Sequence, residues 1–303
     1  MQTKRLATPY AIILYSVFSV AFVTFPTRAF AQAAPPATPA PAAAAPAEPV
    51  APTVLIIGEE YRAEVQVGAW FSMPSTVMFS DSESVTSGTT STTLNGTNID
   101  FKKDLGLANK VFPEVHLTIR LAPKHKLRGD FMPIYYKQSA TLAADIAFDG
   151  QNYLKGQAVE STLRWNEWKA GYEFDVISED RYYVGAIFAG SSLNVSGAMA
   201  NAAQSGTASV NILMPGLGAT GRYYVAPKFS VTGEFLYFYL PGSATSTHGH
   251  VMQIDGYATF NFTKHAGVQG GFRSFDTAHV WGTPLNTGSM TIFGPYIGGT
   301  AHF

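Results

Sequence analysis

The stretch Phe229–Tyr239, FSVTGEFLYFY, decides the reading of this chain. Phe229, Val231, Gly233, Phe235, Tyr237 and Tyr239 share one face, while Ser230, Thr232 and Glu234 share the other. Side chains of a β-strand alternate between two faces, so a strict period of two marks a strand with one apolar and one polar side. The same alternation recurs outward from here. Met252, Ile254, Gly256, Ala258, Phe260 and Phe262 alternate with Gln253, Asp255, Tyr257, Thr259 and Asn261. Val115, Leu117, Ile119 and Leu121 alternate with Glu114, His116, Thr118 and Arg120. Ala63 to Phe71 and Leu127 to Tyr135 repeat the pattern, and no helical stripe interrupts it between Val54 and Phe303.

A soluble sandwich buries the apolar face, whereas a membrane barrel turns it to lipid and keeps a polar lumen. Loop lengths separate the two. Ten strands are expected at about 62–72, 111–122, 126–148, 152–176, 181–195, 208–225, 228–240, 249–263, 265–277 and 288–303. The joints at Ala122–Lys126, Ile177–Asp180, Ala226–Pro227 and Thr263–His265 are tight; those near 73–110, 196–207, 241–248 and 278–287 are long or rich in Gly, Ser, Thr and Asn. Asp149-Gly150 is a tight-turn signal at the tip of two long strands. Short turns on one side and long loops on the other suit an outer-membrane barrel. Aromatic pairs near strand ends (Tyr182 with Tyr183, Tyr223 with Tyr224, Trp165 with Trp168, Tyr237 with Tyr239) suit two interfacial girdles. One strand breaks phase: Val159, Leu163 and Trp165 share a face, but Trp168, Ala170, Tyr172 and Phe174 share the opposite one. A bulge near Asn166–Glu167 would reconcile them, or 152–166 projects above the membrane. A short strand at Asn98–Phe101 would raise the count to twelve, and two weak pairs failing would lower it to eight.

The last segment alternates Pro295, Ile297, Gly299, Ala301 and Phe303 with Gly298, Thr300 and His302. With such a closing strand and final Phe303, the chain resembles small bacterial outer-membrane β-barrel proteins, the porin-like and OmpA- or OmpW-like group. That resemblance covers about 62–303 and implies that Phe303 is read by the barrel-assembly machinery, although Ala301 stands where the group carries an aromatic or large aliphatic residue. The fold expected is thus an all-β, antiparallel transmembrane barrel over 54–303.

Two segments precede it. Lys4 and Arg5, the apolar run Ala11–Phe25 and Ala29-Phe30-Ala31 read as a signal peptide over 1–31, because the apolar run is short for a membrane span. Residues 32–53 are almost wholly Ala and Pro and read as an extended periplasmic linker. Composition sets the outer limits. Of 303 residues 14% are charged, the formal net charge is −1, and there is no cysteine. Disulfide scaffolds, thiolate metal sites and cysteine catalysis are excluded, and the lack of a basic excess argues against nucleic acid as a partner.

With apolar faces outward, Arg62, Glu64, Glu114, Arg120, Arg128, Asp130, Glu167, Lys169, Glu173, Arg222, Glu234, Asp255 and Arg273 point into the lumen. Small barrels are filled by side chains and wide aqueous channels need about 16 strands, so a largely plugged lumen outweighs a narrow charged pore. No nucleophile elbow, Walker loop or HExxH is present. His248 and His250 form a Thr-His-Gly-His loop too poor in ligands for a metal site, and Asp145 and Asp149 read as solvated turn acids. The expected role is a structural or narrow porin-like barrel in the outer membrane, without cofactor or catalysis. Its expected partners are outer-membrane lipid, lipopolysaccharide and the barrel-assembly machinery, with periplasmic envelope components reached through the linker. The alternatives are a barrel enzyme acting on envelope lipid or peptide, and a surface-adhesion barrel.

Overall fold

The computed structural model describes residues 61–87, 90–242, 247–281 and 286–303, so the segments read as signal peptide and linker lie outside the described residues. Among the described residues there is no helix. Fifteen strands run β1 Ala63–Ser80, β2 Glu83–Ser87, β3 Thr90–Leu94, β4 Ile99–Asp100, β5 Lys110–Ala122, β6 His125–Thr141, β7 Ile146–Phe148, β8 Gln151–Tyr153, β9 Ala158–Ser178, β10 Tyr182–Ala200, β11 Ser205–Ala226, β12 Phe229–Leu240, β13 His248–Asn261, β14 Ala266–Trp281 and β15 Asn286–His302. Ten of them pair antiparallel with their neighbours in the order β1-β5-β6-β9-β10-β11-β12-β13-β14-β15, and β15 pairs back onto β1. The sheet is therefore a closed ten-strand barrel. Closure satisfies every edge, the condition for a sheet to stand in lipid. At the seam, Arg62 N and Ala63 N donate to Phe303 O, and Phe303 N donates to Ala63 O.

At one end the joints are short: 123–124, 179–181, 227–228 and 262–265. At the other end the strands run further than their sequences suggest. The joints expected at 196–207 and 278–287 shrink to 201–204 and 282–285. The expected pair 126–148 and 152–176 departs the other way and is shorter than its sequence suggests. β6 stops at Thr141, and a separate hairpin, β7–β8, carries the Asp149-Gly150 turn with both residues at positive φ, 51° and 65°. That is the type I′ geometry of a two-residue hairpin. β2 and β3 make a second small hairpin, and β4 pairs with the upper end of β1.

The exterior changes character along each strand. On β11, Leu213, Pro215, Leu217, Ala219, Tyr223 and Val225 face outward at the short-turn end, whereas Ser205, Thr207, Ser209 and Asn211 face outward beyond them. The twelve residue steps from Leu213 to Val225 give a band of about 30 Å at ~3.3 Å per residue and ~40° tilt. No charged side chain of the ten barrel strands points outward within this band among the described residues. That height and that lack of charge match a bilayer's hydrocarbon core. Tyr182 and Tyr223 face outward at its lower edge, and Phe131 stacks on Trp168 at its upper edge with ring centres 4.0 Å apart. Their sequence neighbours Tyr183, Tyr224 and Trp165 point inward instead.

The inward face inverts at the same level. Below it the lumen is charged; above it the interior is an aromatic and aliphatic core. This explains the broken phase of β9. Its pairing with β10 runs unbroken from Glu160 to Asp175, so no bulge exists at Asn166–Glu167. Val159, Leu163 and Trp165 are apolar because they fill the extended end, and Trp168 to Phe174 are apolar because they face the bilayer on the other side. The register shift on this strand falls lower, where Val176 has no partner between Val184 and Gly185.

Candidate functional site

Among the described residues, the lumen gathers the largest set of buried titratable groups. Glu64, Glu114, Arg120, Arg128, Asp130, Glu167, Lys169, Arg222, Glu234, Asp255 and Arg273 all turn inward, whereas Arg62 precedes β1 and is exposed at the rim. Lys126, Asp175, Tyr257 and Tyr296 join them. Lys126 was hidden in the sequence because it follows a turn, where a lysine is ordinarily solvated; here it is 1% exposed.

Arg273 is the hub on one wall. Its Nη1 donates to Glu114 Oε2 at 2.5 Å, and its Nη2 and Nε donate to Asp255 Oδ2 at 2.5 and 2.9 Å. Tyr296 OH donates to Asp255 Oδ1 at 2.9 Å, and the guanidinium lies 4.9 Å from the Tyr296 ring centre. His116 bridges this cluster to the next, with Nε2 3.8 Å from Glu114 Oε1 and Nδ1 2.5 Å from Asp130 Oδ1. Lys169 Nζ stands 4.0 Å from Asp130 and donates to Gln253 Oε1, while Gln253 Nε2 and Ser191 Oγ donate to Glu167. On the facing wall Arg128 pairs with Glu173 and Glu234 at 3.2 and 2.6 Å, and Lys126 pairs with Glu173 and Asp175 at 2.8 and 3.0 Å. Lys126 Nζ also lies 3.6 Å from the Tyr183 ring centre. At the lower rim His302 Nε2 and Glu64 Oε2 stand 2.7 Å apart, and Gln66 and Gln269 extend that chain by hydrogen bonds of 2.8 Å each.

These groups compensate one another, as buried charges must. Eight carboxylates (Glu64, Glu114, Asp130, Glu167, Glu173, Asp175, Glu234, Asp255) face six Lys and Arg side chains (Arg120, Lys126, Arg128, Lys169, Arg222, Arg273) and two histidines, His116 and His302. The space left among the charges is about 40 Å³, which holds about three waters.

Above the charges the barrel is filled by hydrocarbon. Trp70, Phe112, Tyr136, Trp165, Phe238 and Phe275 form a first tier. Phe79 centres a second, with ring centres 5.4 Å from Trp281, 5.9 Å from Phe148 and 6.4 Å from Phe101. Phe148 comes from the β7–β8 hairpin and Phe101 from the joint after β4, so both segments fold over the mouth and insert side chains into it. Tyr153 OH donates to Met199 O at 2.8 Å and pins the hairpin down. The cavity between Phe79, Trp165, Ile212 and Trp281 amounts to about 10 Å³. The signal for this tier lay in the strand pattern: on β10 and β11 the outward residues become Ser, Thr and Asn where the inward ones become Leu193, Val195, Ala208 and Ile212.

The remaining histidines are scattered. His250 faces outward with Nε2 3.4 Å from Asp276 Oδ1, and Thr291 Oγ1 donates to Asp276 Oδ2 at 2.6 Å. His279 is buried, with Nδ1 2.9 Å from Thr277 Oγ1 and Nε2 3.3 Å from Met214 Sδ. Asp145 Oδ1 accepts from Lys155 N and Asp149 Oδ2 from Thr207 N, both at 2.7 Å, so each acid holds a loop in place.

Comparison by sequence finds no match among protein-family models or curated proteins. Comparison by structure finds outer-membrane β-barrels. The outer membrane protease OmpT of Escherichia coli aligns with a TM-score of 0.47 at 11% identity, over 81% of this chain and 97% of that one. The toluene transporter TodX of Pseudomonas putida aligns with a TM-score of 0.31 at 8% identity, over 80% and 89%. A Pseudomonas aeruginosa FadL homologue aligns with a TM-score of 0.27 at 8% identity, over 80% and 90%. At these identities the likeness concerns the fold alone.

Proposed function

We propose that this protein is an outer-membrane β-barrel with a structural role: a sealed barrel that carries an ordered extension on the cell surface, with no reaction of its own. The observation that carries the reading is the double closure of the lumen. A compensated charge layer with about 40 Å³ of free space lies beneath an aromatic core whose own cavity is about 10 Å³. A porin-like role would need both layers to rearrange. The short-turn end faces the periplasm, as in bacterial barrels, which places β7–β8 and the joint after β4 outside. The Ala/Pro-rich 32–53 then tethers the barrel on the periplasmic side, and 1–31 is removed on export.

The test is single-channel recording of the refolded full-length protein in planar bilayers. The expected result is no stable unitary current at ordinary salt and voltage. A reproducible unitary conductance, with ion selectivity altered by Arg273→Gln, would overturn the sealed-barrel reading. A band that migrates identically in unheated and boiled detergent samples would count against the membrane barrel itself.

A further inference from the structure

Beyond the sealed lumen, the outer wall carries an uneven distribution of charge at the upper edge of the apolar band. On β10, β11, β15 and β1 the outward residues above the band are Asn194, Ser196, Asn211, Ser209, Thr291, Ser289 and Thr76, without a charge. On β6 and β9 the outward side chains include Lys137 and Arg164 beside Glu160, and Lys110, which shares the parity of the inward Phe112, starts β5 exposed and turns its ammonium to the outward Tyr135. Lys110 directly precedes Val111, the first outward apolar residue of β5, and Arg164 stands two outward positions above Trp168 on β9. Between them Tyr135 of β6 faces outward. Lys110 Nζ lies 5.2 Å and Arg164 Cζ 5.0 Å from the Tyr135 ring centre, so the two cations are at most 10.2 Å apart. Lys110 Nζ also donates to Tyr135 O at 2.8 Å, and Lys102, on the adjoining joint, donates to Pro74 O at 3.1 Å.

These three cations hold carbonyl oxygens or an aromatic face rather than carboxylates. The nearby acids are already engaged: Glu160 pairs with Lys137 at 2.9 Å and Asp100 with Lys103 at 3.5 Å. Like charges held within about 10 Å of each other beside a low-dielectric slab repel more strongly than in open water. Elsewhere above the band the outward Asp276 of β14 stands 3.4 Å from His250, whereas this sector carries Lys110, Lys137 and Arg164 against Glu160. A guanidinium and an ammonium on a rigid wall, with an amphipathic ring between them, match a phosphate group at headgroup height.

We infer that Lys110, Tyr135 and Arg164 form a binding site for the phosphorylated headgroup of an outer-leaflet glycolipid. The inference rests on the membrane orientation proposed above. The cations sit just above the last apolar outward residues, where the phosphates of a lipid whose chains run down β5, β6 and β9 would lie. Lys102 extends the site toward β1, and Tyr135 covers the sugar or glycerol next to the phosphate.

The experiment titrates the full-length protein, in zwitterionic detergent micelles, with fluorescent diphosphorylated lipid A. The wild type should bind it, and affinity should fall as salt rises. Lys110→Gln combined with Arg164→Gln should weaken binding by at least about tenfold, as should removal of the phosphates from the lipid. Lys124→Gln with Lys264→Gln, at the opposite end, should bind as the wild type does. Unchanged binding in the K110Q/R164Q variant, or equal binding of dephosphorylated lipid, would overturn the site. Complete displacement by millimolar orthophosphate would assign it to free phosphate and overturn the glycolipid. Insertion of wild type and variant into pure phosphatidylcholine vesicles is measured in parallel. If neither inserts, the membrane reading itself falls; if both insert and lipid A binding is unaltered, the site alone falls.

Discussion

Arg273 offers the sharpest test of the lumen. It makes three charge-assisted hydrogen bonds to two carboxylates that are themselves almost fully buried, Glu114 and Asp255. Replacing it with Met keeps most of the side-chain volume and removes the charge. Glu114 and Asp255 then face each other with the His116 imidazole as the nearest basic group to Glu114 and Tyr296 as the remaining donor to Asp255. The adjoining space of about 40 Å³ admits only about three waters, so solvent cannot replace the guanidinium. Hydrogen bonds to charged groups contribute roughly 1.5–3 kcal/mol each, and stranding the partner of a buried ion pair costs about 3–5 kcal/mol. The second figure already contains the repair that three waters allow, and it is the one expected for Arg273→Met. Guanidinium unfolding in detergent micelles, followed by tryptophan fluorescence, measures it as a lowered midpoint with an unchanged slope. The triple variant Arg273→Met, Glu114→Gln, Asp255→Asn should recover more than half of the loss, because no charge is then left stranded. A loss below about 1 kcal/mol, or a triple variant no better than the single one, would show that the lumen is well hydrated and the compensation argument mistaken.

Two further outcomes are expected. A Cβ at Gly294 would stand 2.0 Å from Phe71 O, at the seam between β15 and β1, whereas one at Gly256 meets nothing within 4 Å. Gly294→Ala should therefore abolish the fast-migrating folded band in unheated electrophoresis while Gly256→Ala keeps it; equal behaviour of the two would refute the seam geometry. His279 lies five positions above Ser274, beyond the apolar band, and burial, reinforced by His250 and His248, pushes its imidazole down to about 4 from the ordinary 6.5. The unfolded chain takes up that proton first as pH falls, so the stabilisation is whole above about pH 6.5 and is lost toward pH 4, at most about 3 kcal/mol. Thermal unfolding of wild type between pH 7.5 and 4.5 should drop more steeply than that of His279→Gln, and parallel profiles would exclude the imidazole as the cause.

Much of the barrel is written in the alternation of single strands. Phe229–Tyr239 and Val251–Phe262 fix strand, face and pairing together, because one face has a single environment, lipid, along its whole length. β9 shows where that legibility ends. Its apolar face changes sides at Asn166, and a reader who assumes one environment per face needs a bulge that is not there. The extended ends of β10, β11, β14 and β15 were read as loops for the same reason: Ser, Thr and Gly on their outward face look like turn residues until the inward Val195, Met199, Ala208 and Ile212 are seen as a separate core. The lumen charges follow from parity alone, but their partners do not. Nothing in the spacing of Glu114 and Arg273, 159 positions apart, announces that they meet across the barrel. Nor does the spacing show that Phe148 and Phe101 fold inward from joints to stop the mouth.

The closure of β15 on β1 also has a kinetic side. Glu64 and His302 meet across that seam from positions 238 residues apart, and β1 holds only one of its two neighbours until β15 has arrived. Pairing at such separation is slow, and an open edge is a template for any other strand. A nascent chain halted anywhere before β15 would thus expose two raw edges and has no smaller barrel to retreat to. Its yield should depend on how long β1 can be shielded from strangers, so that a holding factor which covers this edge would govern assembly more than any contact of the finished wall.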